Sequence, residues 1–107
     1  FPENSAGNKF KLNMYRIVQE QLNNILKYAS ATKVRIKLCV AKKKVILTIS
    51  DNGIGFDTTR IQKGIGLRNI KSRAASYYGT ADFTSEPGHG CMLTVAIPVT
   101  SALQNND

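Results

Sequence analysis

The chain has 107 residues, with 15 Lys or Arg against 7 Asp or Glu and a formal net charge of +8. That length suits one domain and hardly permits two, and a hydrophobic share of 42% is enough for one packed core and too much for a disordered tail. No apolar run approaches the roughly 20 residues needed to span a bilayer.

Residues 1–10 are polar at first, carry Pro and Gly, and read as an arm or truncated connector. The chain opens on Phe1 without an initiator Met or a signal peptide, so a fragment of a longer protein is expected. Leu12, Tyr15, Val18, Leu22, Ile25, Leu26 and Ala29 then recur at helical spacing, which predicts a helix over residues 11–29. Val34, Ile36, Leu38 and Val40 alternate with Arg35, Lys37 and Cys39, a strand with one buried face. Residues 45–50 form a second strand, apolar on both faces at first and so central, and a short hairpin connection with a Lys42–Lys44 tip joins the two. Half of the eight glycines fall between Gly53 and Gly66, marking a loop that a ligand approaches closely. Leu67, Ile70, Ala74 and Tyr77 predict a second helix, stopped at Gly79. Residues 80–86 and 91–98 read as a final hairpin of strands, with Leu93, Val95 and Ile97 on one face, and residues 101–107 as a flexible tail. Helix, hairpin, loop, helix and hairpin in that order predict an α+β fold: a two-layer sandwich with helices on one face of a mixed, mainly antiparallel sheet.

Cys39 and Cys91 lack metal-type spacing and are expected to be reduced. With His89 the single His, zinc-hydrolase chemistry and His-based triads are disfavoured. A pI near 9.8 raises nucleic acid as a partner. The cations are dispersed, however, and aromatics do not interleave with them, so no nucleic-acid partner is expected.

Four segments can carry chemistry. Glu20, Asn24 and Lys27, at offsets of four and three, share a helix face where a carboxylate, a carboxamide and an ammonium can hold a hydrated cation and the phosphates it bridges. The same face also reads as a solvated Glu–Lys neighbourhood. Asp51-Asn52-Gly53-Ile54-Gly55 follows a strand directly. Asp51 projects there as an acceptor, Gly53 and Gly55 admit a flat ligand, and Asn52 can take a left-handed conformation or reach a metal. Gly64-Ile65-Gly66-Leu67 opens the second helix, where free amides and the helix dipole attract phosphate, with Arg68 nearby. It is neither a Walker loop nor a dinucleotide fingerprint. Gly88-His89-Gly90 is a glycine-rich turn before the last strand.

Together these segments resemble the ATP-binding catalytic domain of two-component sensor histidine kinases, within the GHKL superfamily that includes gyrase and MutL. QEQLNNILKYA (19–29) is similar to the family's N box, DNGIGFD (51–57) to its G1 box, GIGLRNIKSRA (64–74) to its G2 box, and GHGCMLTVAIP (88–98) to its closing glycine box and last strand. The resemblance implies the Bergerat ATPase fold over residues 11–100, with ATP and Mg2+ as cofactors. It implies that Asn24 binds the metal, that Glu20 is the acidic N-box residue, and that Lys27 contacts phosphate. Tyr28 would lie against adenine and Asp51 would accept from its amino group. Gly53, Gly55, Gly88 and Gly90 would shape the pocket, while Gly64, Gly66, Leu67 and Arg68 would serve the lid hinge and phosphates. The short segment between the G1 and G2 boxes resembles the short-lid branch, and Cys91 stands where many members carry Thr.

His89 belongs to the glycine box, not to a phosphoacceptor site. The implied partners are a dimerisation and phosphoacceptor domain of the same parent and, through it, a response regulator. The fragment is expected to be monomeric and its parent a cytoplasmic or membrane-anchored homodimer with this domain in the cytoplasm. An anti-sigma protein-serine kinase and a degenerate, non-catalytic interaction domain are the alternatives.

Overall fold

The computed structural model describes residues 7–54, 67–85 and 90–100. Helix α1 spans Gly7–Asn24 and runs on as a π-helical turn, Ile25–Ala29. Strands β1 (Val34–Ala41) and β2 (Lys44–Asp51) form the first hairpin; helix α2 (Leu67–Ala75), β3 (Thr80–Ser85) and β4 (Cys91–Pro98) follow. The sheet order is β1-β2-β4-β3, and every pairing is antiparallel. This is the predicted α+β architecture, with β2 inside the sheet as its apolar sequence requires.

One face of the sheet is dry. Val45, Leu47 and Ile49 of β2 and Leu93, Val95 and Ile97 of β4 alternate inward and meet Phe10, Ile17 and Ile25 from the first helical segment and Ile70 and Ala74 from α2. Each such aliphatic side chain contributes about 1.5–3 kcal/mol when fully buried. Phe10 also meets Tyr77 edge-on, ring centroids 5.3 Å apart, which joins α1 to the end of α2. The opposite face is mixed and half-exposed, with Thr48, Ser50, Thr94 and Ala96 on the inner strands.

Two local expectations change. The inward stripe of α1 is Phe10, Ile17, Gln21 and Asn24, whereas Leu12, Tyr15 and Leu26 are exposed. Hydropathy alone misplaces this stripe because two of its members are amides. Strand β1 was expected to bury one face; all eight of its residues are exposed. Its apolar residues do stand on the core side, Ile36 opposite Ile49 and Leu38 opposite Leu47. It is the edge strand, and Ile36 and Leu38 only border an apolar groove with Phe10, Met14 and Tyr15.

The turns are tighter than the sequence indicates. Strand pairing continues to Ala41 and Lys44, leaving Lys42 and Lys43 as a two-residue turn with φ of 52° and 63°. Two left-handed residues match the twist of a hairpin. After α2 the left-handed residue is Tyr78 (φ 61°), not Gly79. Gly79 is required for a different reason: a Cβ there would lie 2.5 Å from Ile97 Cγ1 and 2.6 Å from the Ala96 carbonyl oxygen.

Candidate functional site

The strand ends of β2 and β4 lie side by side, with Asp51 paired to Cys91. Asp51 turns its carboxylate back on the chain that follows: Oδ1 accepts from the Gly53 amide at 2.8 Å. This local turn holds Oδ2 in a buried position with no hydrogen-bond partner among the described residues. Gly53 is buried beside it. Gly90, at φ 82°, closes the site from the β4 side, and a Cβ there would sit 2.2 Å from the Asp51 carbonyl oxygen. Glycine is therefore needed at position 90 on two counts, backbone conformation and space. The Ser85 hydroxyl donates to the Gly90 carbonyl at 3.1 Å, tying β3 to the same corner.

Asn52 does neither of the things its sequence context offered. Its Oδ1 accepts from the amides of Thr32 and Lys33, both at 2.9 Å, and its Nδ2 donates to Thr32 Oγ1 at 2.8 Å. Asn52 thus tethers the loop before β1 to the end of β2, and its φ is not left-handed.

Asn24 and Gln21 lie on helix α1. Asn24 is 5% exposed, and its Nδ2 donates to Gln21 Oε1 at 3.2 Å. Gln21 is fully buried, and its Nε2 makes no hydrogen bond of standard geometry among the described residues. The amide of Gln21 lies near enough to the Cys91 thiol to favour its ionised form. Burial acts the other way and dominates: with the Asp51 carboxylate adding to it, it pushes the thiol up to about 11, against smaller opposite effects of Ser85 and Gln21. Asn24 and Gln21 are thus hydrogen-bonded to each other on α1, and Asp51 and Cys91 are paired at the strand ends. Both cysteines are free, Cys39 on the surface and Cys91 buried.

The remaining predicted residues stand less deeply. Glu20 is half-buried and Lys27 is exposed. Lys27 sits in the π-helical turn, whose wider winding departs from the α-helical spacing that aligns it with Asn24. On α2, Leu67 is buried and Arg68 is exposed. Gly55, Gly64, Gly66 and Gly88 and the side chain of Tyr28 lie outside the described residues.

A hard cation needs oxygen donors. Asn24 meets this requirement because its nitrogen is engaged by Gln21, which leaves Oδ1 as the end for a metal; the nearby carboxylate is Glu20. Among the described residues no group of three or more His, Cys, Asp or Glu could cage an ion. A metal here would draw most of its ligands from phosphate and water, which suits Mg2+ shared with a nucleotide.

The sequence profile of the histidine kinase-, DNA gyrase B-, and HSP90-like ATPases matches residues 11–101. The chain belongs to this ATPase family. It is 35% identical over 102 residues to the oxygen sensor histidine kinase NreB of Staphylococcus carnosus, covering 94% of this chain and 29% of that protein. It is 34% identical over 102 residues to the signal transduction histidine-protein kinase/phosphatase DegS of Brevibacillus brevis, covering 94% of this chain and 25% of that protein. The chain thus spans under a third of the length of these relatives. The crystal structure of the ATP binding domain of PrrB from Mycobacterium tuberculosis matches with a TM-score of 0.70 at 25% identity, covering 81% of this chain and 67% of that one. Within the family this is an ATP-binding domain of the sensor-histidine-kinase type.

Sequence reading overlooked one residue of this ATPase domain, Gln21. The signal was present: Gln21 precedes Asn24 by three positions and so shares its helix face.

Proposed function

We propose that this domain binds ATP with Mg2+ and presents the γ-phosphate to a His on a separate dimerisation domain of its parent, which then passes the phosphoryl group to a response regulator. One observation carries the nucleotide part: the buried, unpartnered Asp51 Oδ2, fixed by the Gly53 amide bond, is an acceptor awaiting a donor such as the adenine amino group. Asn24 Oδ1 would hold the metal, with Glu20 positioned to orient water on it. Lys27 and Arg68 would offset phosphate charge, Tyr28 would stack on the purine, and Gly53, Gly55 and Gly90 would let the ring approach the backbone. Gly64, Gly66, Leu67 and Gly88 would frame the phosphates. The metal, when bound, neutralises charge on the transferring phosphoryl group.

Transfer itself requires a nucleophile from another domain, so the chain alone binds ATP without phosphorylating itself. The sensor kinases to which it is similar favour a histidine acceptor over the serine acceptor of an anti-sigma kinase. No helix of the described residues is long and apolar enough to cross a membrane, and we place the domain on the cytoplasmic side of its parent.

Calorimetry with a non-hydrolysable ATP analogue and Mg2+ tests this reading. Asp51→Asn should weaken binding about a hundredfold, near 2.7 kcal/mol, because it removes a charged buried acceptor. Asn24→Asp should weaken the Mg2+-dependent part, since an oxygen would replace the nitrogen that donates to Gln21. Circular dichroism should show both variants folded. If both bind like the parent chain, the assignment of the site is wrong.

A further inference from the structure

Asn24 closes the α-helical part of the long helix, and Asp51 closes β2. A nucleotide that engages both needs a fixed span between them. Along the chain the link runs through the first hairpin, and its strand β1 is the exposed edge of the sheet. Asn52 supplies a shorter route. Its Oδ1 accepts from the amides of Thr32 and Lys33, both at 2.9 Å, and its Nδ2 donates to Thr32 Oγ1 at 2.8 Å. Its own amide donates to the Lys33 carbonyl at 3.2 Å. All four bonds bypass the hairpin.

The segment that Asn52 grips needs holding. Residues 30–33 belong to no helix or strand and connect the π-helical turn, Ile25–Ala29, to β1. The turn ends on Ser30 at φ 50°, a left-handed conformation that disfavours any residue with a side chain. Neither a π turn nor a left-handed Ser persists unless its surroundings impose it. Ala31 packs against the core, but Thr32 and Lys33 are exposed. Hydrogen bonds from Asn52, rather than burial, therefore fix where residues 32 and 33 run. The hold on Asp51 is separate, since it comes from the Gly53 amide and from pairing with β4.

We propose that Asn52 is a positioning residue for the metal end of the site: by clamping residues 32 and 33 to the end of β2, it sets where the end of the long helix holds Asn24 relative to Asp51. This rests on the reading of the site as an ATP site with Asn24 facing Mg2+. Asn52 touches neither nucleotide nor metal. Both acceptor positions of its Oδ1 are taken by the tether, and it acts through the segment it clamps.

The test is calorimetry on the full 107-residue chain with ATP, once in excess Mg2+ and once in EDTA, so that the ratio of the two affinities reads the contribution of the metal alone. Asn52→Ala should lower that ratio about tenfold, the lower end of what loss of a supporting residue costs in metal affinity. Binding in EDTA should stay within about twofold of the parent, because Asp51 keeps its own bonds. Asn52→Ser, too short to hold both amides, serves as a second variant should the first fail to fold by circular dichroism. A folded variant with the parent's ratio overturns the proposal. So does one that loses equally in Mg2+ and in EDTA, which is general loosening rather than positioning of the metal end. A parent chain that binds ATP equally well with and without Mg2+ overturns it too. Absence of ATP binding by the parent chain in either buffer is a different failure: it removes the ATP reading itself and the proposal with it.

Discussion

The two ends of the candidate site, which we propose bind purine and phosphate, are built differently. At the purine end, Asp51, Gly53, Gly90 and Cys91 are locked by strand pairing and by a bond from the backbone to the carboxylate itself. At the phosphate end, Lys27 and Arg68 are exposed side chains on helices, one of them in a π-helical turn. On the proposed reading, the difference follows from what each end would recognise. A flat heterocycle is read by a few hydrogen bonds whose value depends on fixed geometry and exclusion of water. A triphosphate is charged enough to be drawn by cations that need no fixed position.

The largest expected effect breaks the rigid end through its backbone. Gly90→Ala forces a side chain into a left-handed conformation and against the Asp51 carbonyl. It should lower stability by roughly 3 kcal/mol in urea titration and weaken nucleotide binding along with it. A variant as stable as the parent would show that the corner is looser than its geometry indicates.

Next is the pH response of Cys91. Burial, with the Asp51 carboxylate adding to it, pushes its thiol from the ordinary value of 9.0 up to about 11 in the folded chain. The raised folded value means the unfolded chain loses this proton first as pH rises. The stabilising contribution is therefore complete below about pH 9 and is lost as pH rises towards about 11. The loss should amount to no more than about 2.7 kcal/mol. Comparing the parent with Cys91→Ala across this window isolates the contribution of the thiol. Parallel stability curves would contradict a shifted thiol.

The smallest effect tests the soft end. Lys27→Ala should weaken ATP binding only a few-fold, under about 1 kcal/mol, and the difference should shrink as salt is added. Adenosine, which lacks phosphates, should bind the variant and the parent alike. A large, salt-independent loss would place Lys27 in a fixed contact instead.

Much of this was legible beforehand. The element order, the central place of β2 and the inward face of β4 follow from apolar periodicity, and the strand-terminal Asp51 and the glycine at position 90 stood out as turn chemistry. Three features were not legible, each for a physical reason. Gln21 belongs to the core although it is polar, so hydropathy gave it no weight. Asn52 sits in a motif that invites a ligand role, but its side chain satisfies the backbone of a loop twenty residues away, which no local pattern encodes. The exposure of β1 depends on how far the helical layer extends over the sheet. Alternation of Val34, Ile36, Leu38 and Val40 tells which face could be buried, not whether anything covers it.

The bare outer strand has a consequence for how the 107-residue chain behaves at high concentration. An unpaired strand edge is a template for a second copy, yet antiparallel self-pairing would gather Arg35 and Lys37 of both molecules on one surface. Mutual repulsion at a net charge of +8 should then keep molecules apart in dilute buffer. Added electrolyte removes that protection, so this chain should self-associate more, not less, as ionic strength climbs.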